Sequence, residues 1–248
     1  PVAFVIALWL GTGSGGLTAL GAAFGLGGIY NLWGKRTAVP LLMDFAQSLS
    51  WASLALFGAL AVGEATFLTW VALSFVAVYV LMVNGVHGGL RDLRNDLACG
   101  VRSTAIQLGA HIALDGRLLL SARLRVYAAV LQSLLVVIAL LSFLANEPGY
   151  APPTGRVALA VVLSSSFAAF YLLWSATRPT GGGHDMGAAG LLHMVSTMIM
   201  LMAALLPRVS PGLAIVVVAV FTAPLLTHSL TYRSARLMLR VVRRAWPV

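Results

Sequence analysis

The chain has 248 residues, of which 60% are hydrophobic and only 9% charged, and its mean hydropathy is +0.93. That balance excludes an ordinary soluble domain. Sixteen basic residues against seven acidic ones give a net charge of +9, but the charges cluster between long apolar runs, which points to a membrane surface and away from nucleic acid. The single Cys99 excludes an internal disulfide and reads as a small packing residue.

Taken in chain order, eight apolar stretches stand out: 1–12, 16–31, 38–62, 66–90, 121–145, 156–176, 186–207 and 211–232. The expected fold is therefore all-α, a polytopic transmembrane helical bundle of about eight membrane segments. The first stretch is about half the length of a span. It carries neither an initiator Met nor a charged leader region, so the sequence is expected to begin inside a helix, with a segment missing upstream. Gly11 to Gly16, Gly63-Glu64, Asn146 to Gly149, Pro179 to Gly183 and Pro207 to Pro211 supply the breaks. In the second stretch, Gly21-Ala-Ala-Phe-Gly25 has the small-residue spacing that lets membrane helices approach closely. Gly25-Leu-Gly27-Gly28 follows no strand, so a nucleotide loop is not indicated.

The third stretch contains an ionisable residue, Asp44, which shares a helical face with Gln47 and Ser48. It reads either as a contact to a substrate or as an interfacial residue near the segment's start. Trp51, Phe75 and Tyr79 offer aromatic faces in the third and fourth stretches, although each reads more readily as packing or lipid-facing. Asn84 and His87 lie at the end of the fourth, within two turns of an acidic pair, Asp92 and Asp96. Residues 97–120, with Asp115 and several arginines, read as a cap over one end of the bundle. His184 and Asp185 suit a cap for the helix that follows them, and His193 and His228 show no metal-ligand spacing.

Alternating the connections between two sides of a membrane collects Lys35 and thirteen arginines on one side and leaves Arg156 and Arg208 on the other. The positive-inside rule makes the first side cytoplasmic and puts the Asp92/Asp96 pair there. On a helix, carboxylates four residues apart share a face and repel, so they call for a cation or a basic partner. A hydrated Mg²⁺ that also binds substrate phosphates meets that need with one or two carboxylates.

Asp92-xxx-Asp96-xxx-Gly100-xx-Ser103-Thr104-Ala105-Ile106-xx-Gly109 resembles the second aspartate-rich motif of the UbiA superfamily of intramembrane prenyltransferases. Upstream, Tyr30-Asn31-Leu32-Trp33-Gly34-Lys35-Arg36 resembles the tyrosine-to-basic segment after the fourth membrane helix of those enzymes. The resemblance covers roughly residues 1–207 and implies a UbiA-like core that lacks its first helices. It leaves 208–248 as an extra membrane helix with a basic cytoplasmic tail. The superfamily's first motif, an Asn- and Asp-rich helix, would precede residue 1.

The resemblance implies transfer of a prenyl group from a polyprenyl diphosphate to an acceptor, aromatic or quinone-precursor in type, by Mg²⁺-assisted ionisation of the allylic diphosphate. Asp92 and Asp96 would be the metal-binding and catalytic pair. Tyr30, Lys35, Asp44, Asn84, His87 and Arg102 would be substrate contacts, with His87 placed to take a proton from the alkylated acceptor. Lys35 also fits a plain positive-inside anchor, Tyr30 an interfacial belt residue, and His87 a hydrogen bond between helices. The expected partners are the two substrates and membrane lipids, with no nucleic acid, and the expected location is a bacterial or archaeal cell membrane. A transporter with an Asp/His ion path is the rival class, although no inverted repeat is visible and the acidic pair lies at one surface. A non-catalytic membrane scaffold is the third.

Overall fold

A computed structural model describes residues 2–9, 12–34, 36–145, 153–177 and 186–208, with isolated positions beyond. Lys35, the Asn146 to Gly149 and Pro179 to Gly183 breaks, His184, Asp185, His228 and most of the 211–232 segment lie outside the described residues. By packing, the chain divides into two units, Pro1–Pro207 and Arg208–Val248.

In the first unit the helices in order are α1 (Val2–Trp9), α2 (Ser14–Trp33), α3 (Pro40–Val62) and α4 (Phe67–Met82), which continues as a π-helical turn, Val83–Gly88. Short helices α5 (Gly89–Arg91), α6 (Leu93–Ala98) and α7 (Thr104–Gln107) follow, then a hairpin of β1 (His111–Ile112) and β2 (Leu118–Leu119). The long helices α8 (Ala122–Leu141), α9 (Thr154–Ala176) and α10 (Met186–Leu205) complete the unit. Five helical stretches are long and apolar enough to cross a membrane: 40–62, 67–91, 122–144, 154–175 and 189–208. The protein is thus a membrane-embedded helical bundle. Of the eight stretches read from the sequence, α1 is too short at eight residues and α2, rich in glycine, has the length but not the hydropathy.

Local chemistry explains the ends. Pro40 opens α3 at the first helical position, where a missing N–H costs nothing. Thr66 and Thr69 satisfy each other's backbone N–H groups at the start of α4. Ser121 accepts the Leu124 N–H to start α8 while donating its own hydroxyl proton to the Leu108 carbonyl, which ties the cap segment to that helix.

Two apolar clusters hold the unit together. One joins the end of α4 to α8 and the cap through Met82, Val86, Leu93 and Leu124; the other joins α4, α8, α9 and α10 through Phe75, Leu135, Val162 and Met200. Large apolar side chains such as Phe45, Trp70, Phe167, Tyr171 and Trp174 cover the outside, as expected where lipid is the solvent. Trp51 belongs to this outer set at 51% exposure, so of the three candidate aromatics only Phe75 and Tyr79 point inward, stacked with centroids 6.5 Å apart.

The α2–α3 contact corrects one expectation. The close-approach stripe on α2 is Gly16, Ala19, Leu20, Ala23 and then Gly27, against which Ser50 packs, and not Gly21-xxx-Gly25. Gly25 has open space where a Cβ would be, whereas a Cβ on Gly27 would meet the Ser50 Oγ at 3.0 Å. Ser50 donates to the Ala23 carbonyl at 2.7 Å, and Ser48 donates to Ala77 of α4 at 2.6 Å, so hydroxyls stitch α3 to both neighbours. Cys99 is exposed and does not pack.

Candidate functional site: an acidic turn and a polar interior

The acidic pair sits at a break. Asp92 stands between α5 and α6, and the Asp96 N–H donates to the Asp92 carbonyl at 2.9 Å, so the two are one turn apart. Asp96 is buried at 2% exposure, while Asp92 lies nearer the surface and accepts two hydrogen bonds from the Arg91 guanidinium, at 2.9 and 3.1 Å. With side-chain exposures of 77% and 37%, that ion pair is of the exposed kind that contributes little and exchanges partners readily. Arg94 donates to the Gly116 carbonyl at 3.0 Å and braces α6 against the hairpin turn.

The glycines after the pair terminate helices. Gly100 has φ +64°, and Val101 N–H returns to the Asp96 carbonyl at 2.8 Å while Gly100 N–H reaches Leu97. Gly109 has φ +92° and repeats the pattern, with Ala110 N–H on Ala105 and Gly109 N–H on Ile106. Both are left-handed helix stops of the kind glycine favours. Ser103 opens α7 by accepting the Ile106 N–H. The Gly-xx-Ser-Thr-xxxx-Gly spacing therefore has a local meaning: it folds residues 97–110 back over the end of the bundle.

Thr104 makes the fold-back specific. Its hydroxyl donates to the Asp44 carboxylate at 2.5 Å, joining α7 to the first turns of α3 and burying Asp44. The Asp44 face read from the sequence does turn inward: Gln47 accepts from Asn84 Nδ2 at 2.5 Å, and Ser48 reaches α4. A Cβ on Gly85 would lie 3.1 Å from the Tyr127 hydroxyl and 3.3 Å from the Asp44 carboxylate, so the glycine lets these groups converge there without displacement. The Tyr127 hydroxyl is buried without a partner among the described residues.

The π-helical turn sets this geometry. Gly89 N–H reaches back five residues to the Asn84 carbonyl, so one extra residue is accommodated before the acidic pair. Such turns concentrate at functional sites. Within it, His87 Nε2 lies 2.8 Å from His193 Nδ1 on α10, and His193 Nε2 lies 2.9 Å from Gln132 Oε1 on α8. His193 and Gln132 are completely buried.

The remaining sequence candidates are dispersed. Tyr30 is half-buried near the end of α2, and Arg102 is exposed between α6 and α7. His193 and Gln132 carry no sequence signal, because His193 lies 106 residues from His87 and 61 from Gln132 in the chain. Outside the spans, Asp115 accepts the Arg117 backbone N–H at 3.0 Å and its guanidinium at 2.6 Å, and these hold its carboxyl below the usual aspartate range.

Two carboxylates on one turn are a donor set that Mg²⁺ accepts when phosphates and water complete its shell. Among the described residues no third His, Cys, Asp or Glu joins them. Comparisons of the chain with protein-family models, with curated proteins and with solved structures return no match.

Proposed function

We propose that the protein is an intramembrane prenyltransferase, carrying the prenyl group of a polyprenyl diphosphate to an aromatic, quinone-precursor acceptor. The observation that carries this reading is the Asp92/Asp96 turn, with one carboxylate buried, at the end of a span and under a folded-back cap. Mg²⁺ held by Asp92 and Asp96 would neutralise charge on the leaving diphosphate. Arg91, whose ion pair with Asp92 is exposed, can turn from that carboxylate to phosphate oxygens, and Arg102 and Lys35 add positive charge on the same side. The basic residues make that side cytoplasmic. Tyr79, half-buried and stacked on the fully buried Phe75, offers its aromatic ring to an allylic cation and helps keep water from it.

The test is Mg²⁺-dependent pyrophosphate release from geranylgeranyl diphosphate by the protein in detergent, with a panel of aromatic acceptors. Release should need both Mg²⁺ and acceptor, and Asp92→Ala and Asp96→Ala should each abolish it. Donor binding that ignores Mg²⁺ and both substitutions would reject the proposal.

One observation favours a second reading. A histidine pair inside a membrane bundle, with one ring fully buried, is also a means of moving protons in a transporter. Proton flux into liposomes bearing the protein, without any prenyl donor, would favour that class.

A further inference from the structure

The hydrogen-bond chain through His87 fixes where its protons lie. Gln132 Oε1 can only accept, so the proton between it and His193 sits on His193 Nε2. Neutral His193 then has its lone pair at Nδ1, and the 2.8 Å contact is filled by the proton of His87 Nε2. The lone pair of His87 is left at Nδ1. On that side stands Gly190 of α10, where a Cβ would come within 3.0 Å of the nitrogen. The glycine lets the α10 backbone pass this close to the one basic atom of the hydrogen-bond chain, and a side chain there would crowd it.

Three further facts give the arrangement a purpose. The rings come from the π-helical turn and from α10, and Gln132 from α8, so three helices hold the basic atom in place. A proton added at Nδ1 makes an imidazolium whose Nε2–H already points at a neutral imidazole, itself oriented by an amide oxygen. The Gln132 Nε2 group is buried without a partner among the described residues, a donor left over beside the chain.

We propose that His87 accepts the proton released by the acceptor, with His193 and Gln132 as positioning residues; this rests on the prenyl-transfer reading. In that step the allylic C–O bond breaks and its electron pair leaves on the diphosphate. A π pair of the aromatic acceptor forms the new C–C bond to the allylic carbon. The ring C–H bond then gives its electrons back to the ring and its proton to the His87 Nδ1 lone pair, and the proton is lost to solvent before the next turnover.

The experiment uses the full protein in detergent with Mg²⁺, geranylgeranyl diphosphate and the aromatic acceptor panel, and it reads donor binding and prenylated product separately. His87→Gln should bind donor as tightly as the parent while product formation falls about a hundredfold or more, the usual contribution of a positioned base. Added imidazole should restore part of the loss in His87→Gln and none in Asp96→Ala. Gly190→Ala keeps every hydrogen-bonding atom yet occupies the space at Nδ1, and should lower kcat with little change in donor KM, which separates this role from simple folding support. Product formation in His87→Gln within about threefold of the parent overturns the inference and leaves the transferase standing. Donor binding with no product from any aromatic acceptor overturns it too, since the proton would have no source. Absence of Mg²⁺-dependent donor binding in the parent removes the transferase reading and this inference with it.

Discussion

The acidic turn and the polar interior adjoin in the chain and are assembled in opposite ways. The backbone of residues 92–110 is organised by near neighbours: Asp96 bonds Asp92, Gly100 and Gly109 stop their helices, and Ser103 starts the next. The interior is organised by strangers, with Thr104 on Asp44, Asn84 on Gln47, and His87 on His193 and through it Gln132, across 37 to 106 residues of chain. Local bonds at the surface compete with water, so each is worth little and the segment can rearrange around a ligand. Bonds in the interior have no water to fall back on, so losing one strands its partner.

Substitutions in each region test that contrast. The largest effect is expected from His193→Leu, which strands His87 Nε2 and Gln132 Oε1 together and should cost about 3 kcal/mol of stability, read by reversible unfolding in mixed micelles. Thr104→Val keeps the shape but removes the donor to Asp44, and about 2 kcal/mol should be lost in the same assay. Gly100→Ala should cost about 1 kcal/mol, because its φ of +64° disfavours any side chain, and proteolysis of residues 97–110 should quicken before the bundle melts. A loss at Gly100 equal to that at His193 would erase the distinction between the two regions.

Asp115→Asn should matter least. Its carboxyl is depressed by Arg117, so the contribution it makes is present above the ordinary aspartate range and fades as pH falls through its lowered midpoint. A carboxyl titration followed by NMR should show a midpoint below that of an unpaired aspartate. Neighbouring helices should show no change in that window.

Legibility in the sequence divides along the same line. The five long spans, the glycine break between α3 and α4, and the inward face of Asp44, Gln47 and Ser48 all express short-range order. Spacing alone misplaces the α2 stripe by two residues, because α2 is small-residue-rich on several sides and only the position of Ser50 selects Ala23 and Gly27. Residue type alone suggests a packed Cys99, which is exposed, while Trp51 takes the outward one of its readings. The histidine pair is illegible for a different reason. A partner 106 residues away leaves no mark on spacing, and the π-helical turn that aims His87 has no signature beyond two glycines in Val83–Gly88.

The same turn constrains how the gene can change. A helix advances about 100° per residue, so the extra residue in Val83–Gly88 sets the phase of everything after it relative to α4. Removing one residue there would let the backbone relax to a regular α-helix, a gain in local hydrogen bonding. The same deletion would swing the carboxylates of Asp92 and Asp96 by nearly a third of a revolution and slip α5 out of its fit against Ala105, where a Cβ on Gly89 would already stand 2.8 Å away. A frame-preserving deletion at this point is therefore a trade of timing for comfort: a steadier rod that delivers its acids to the wrong side.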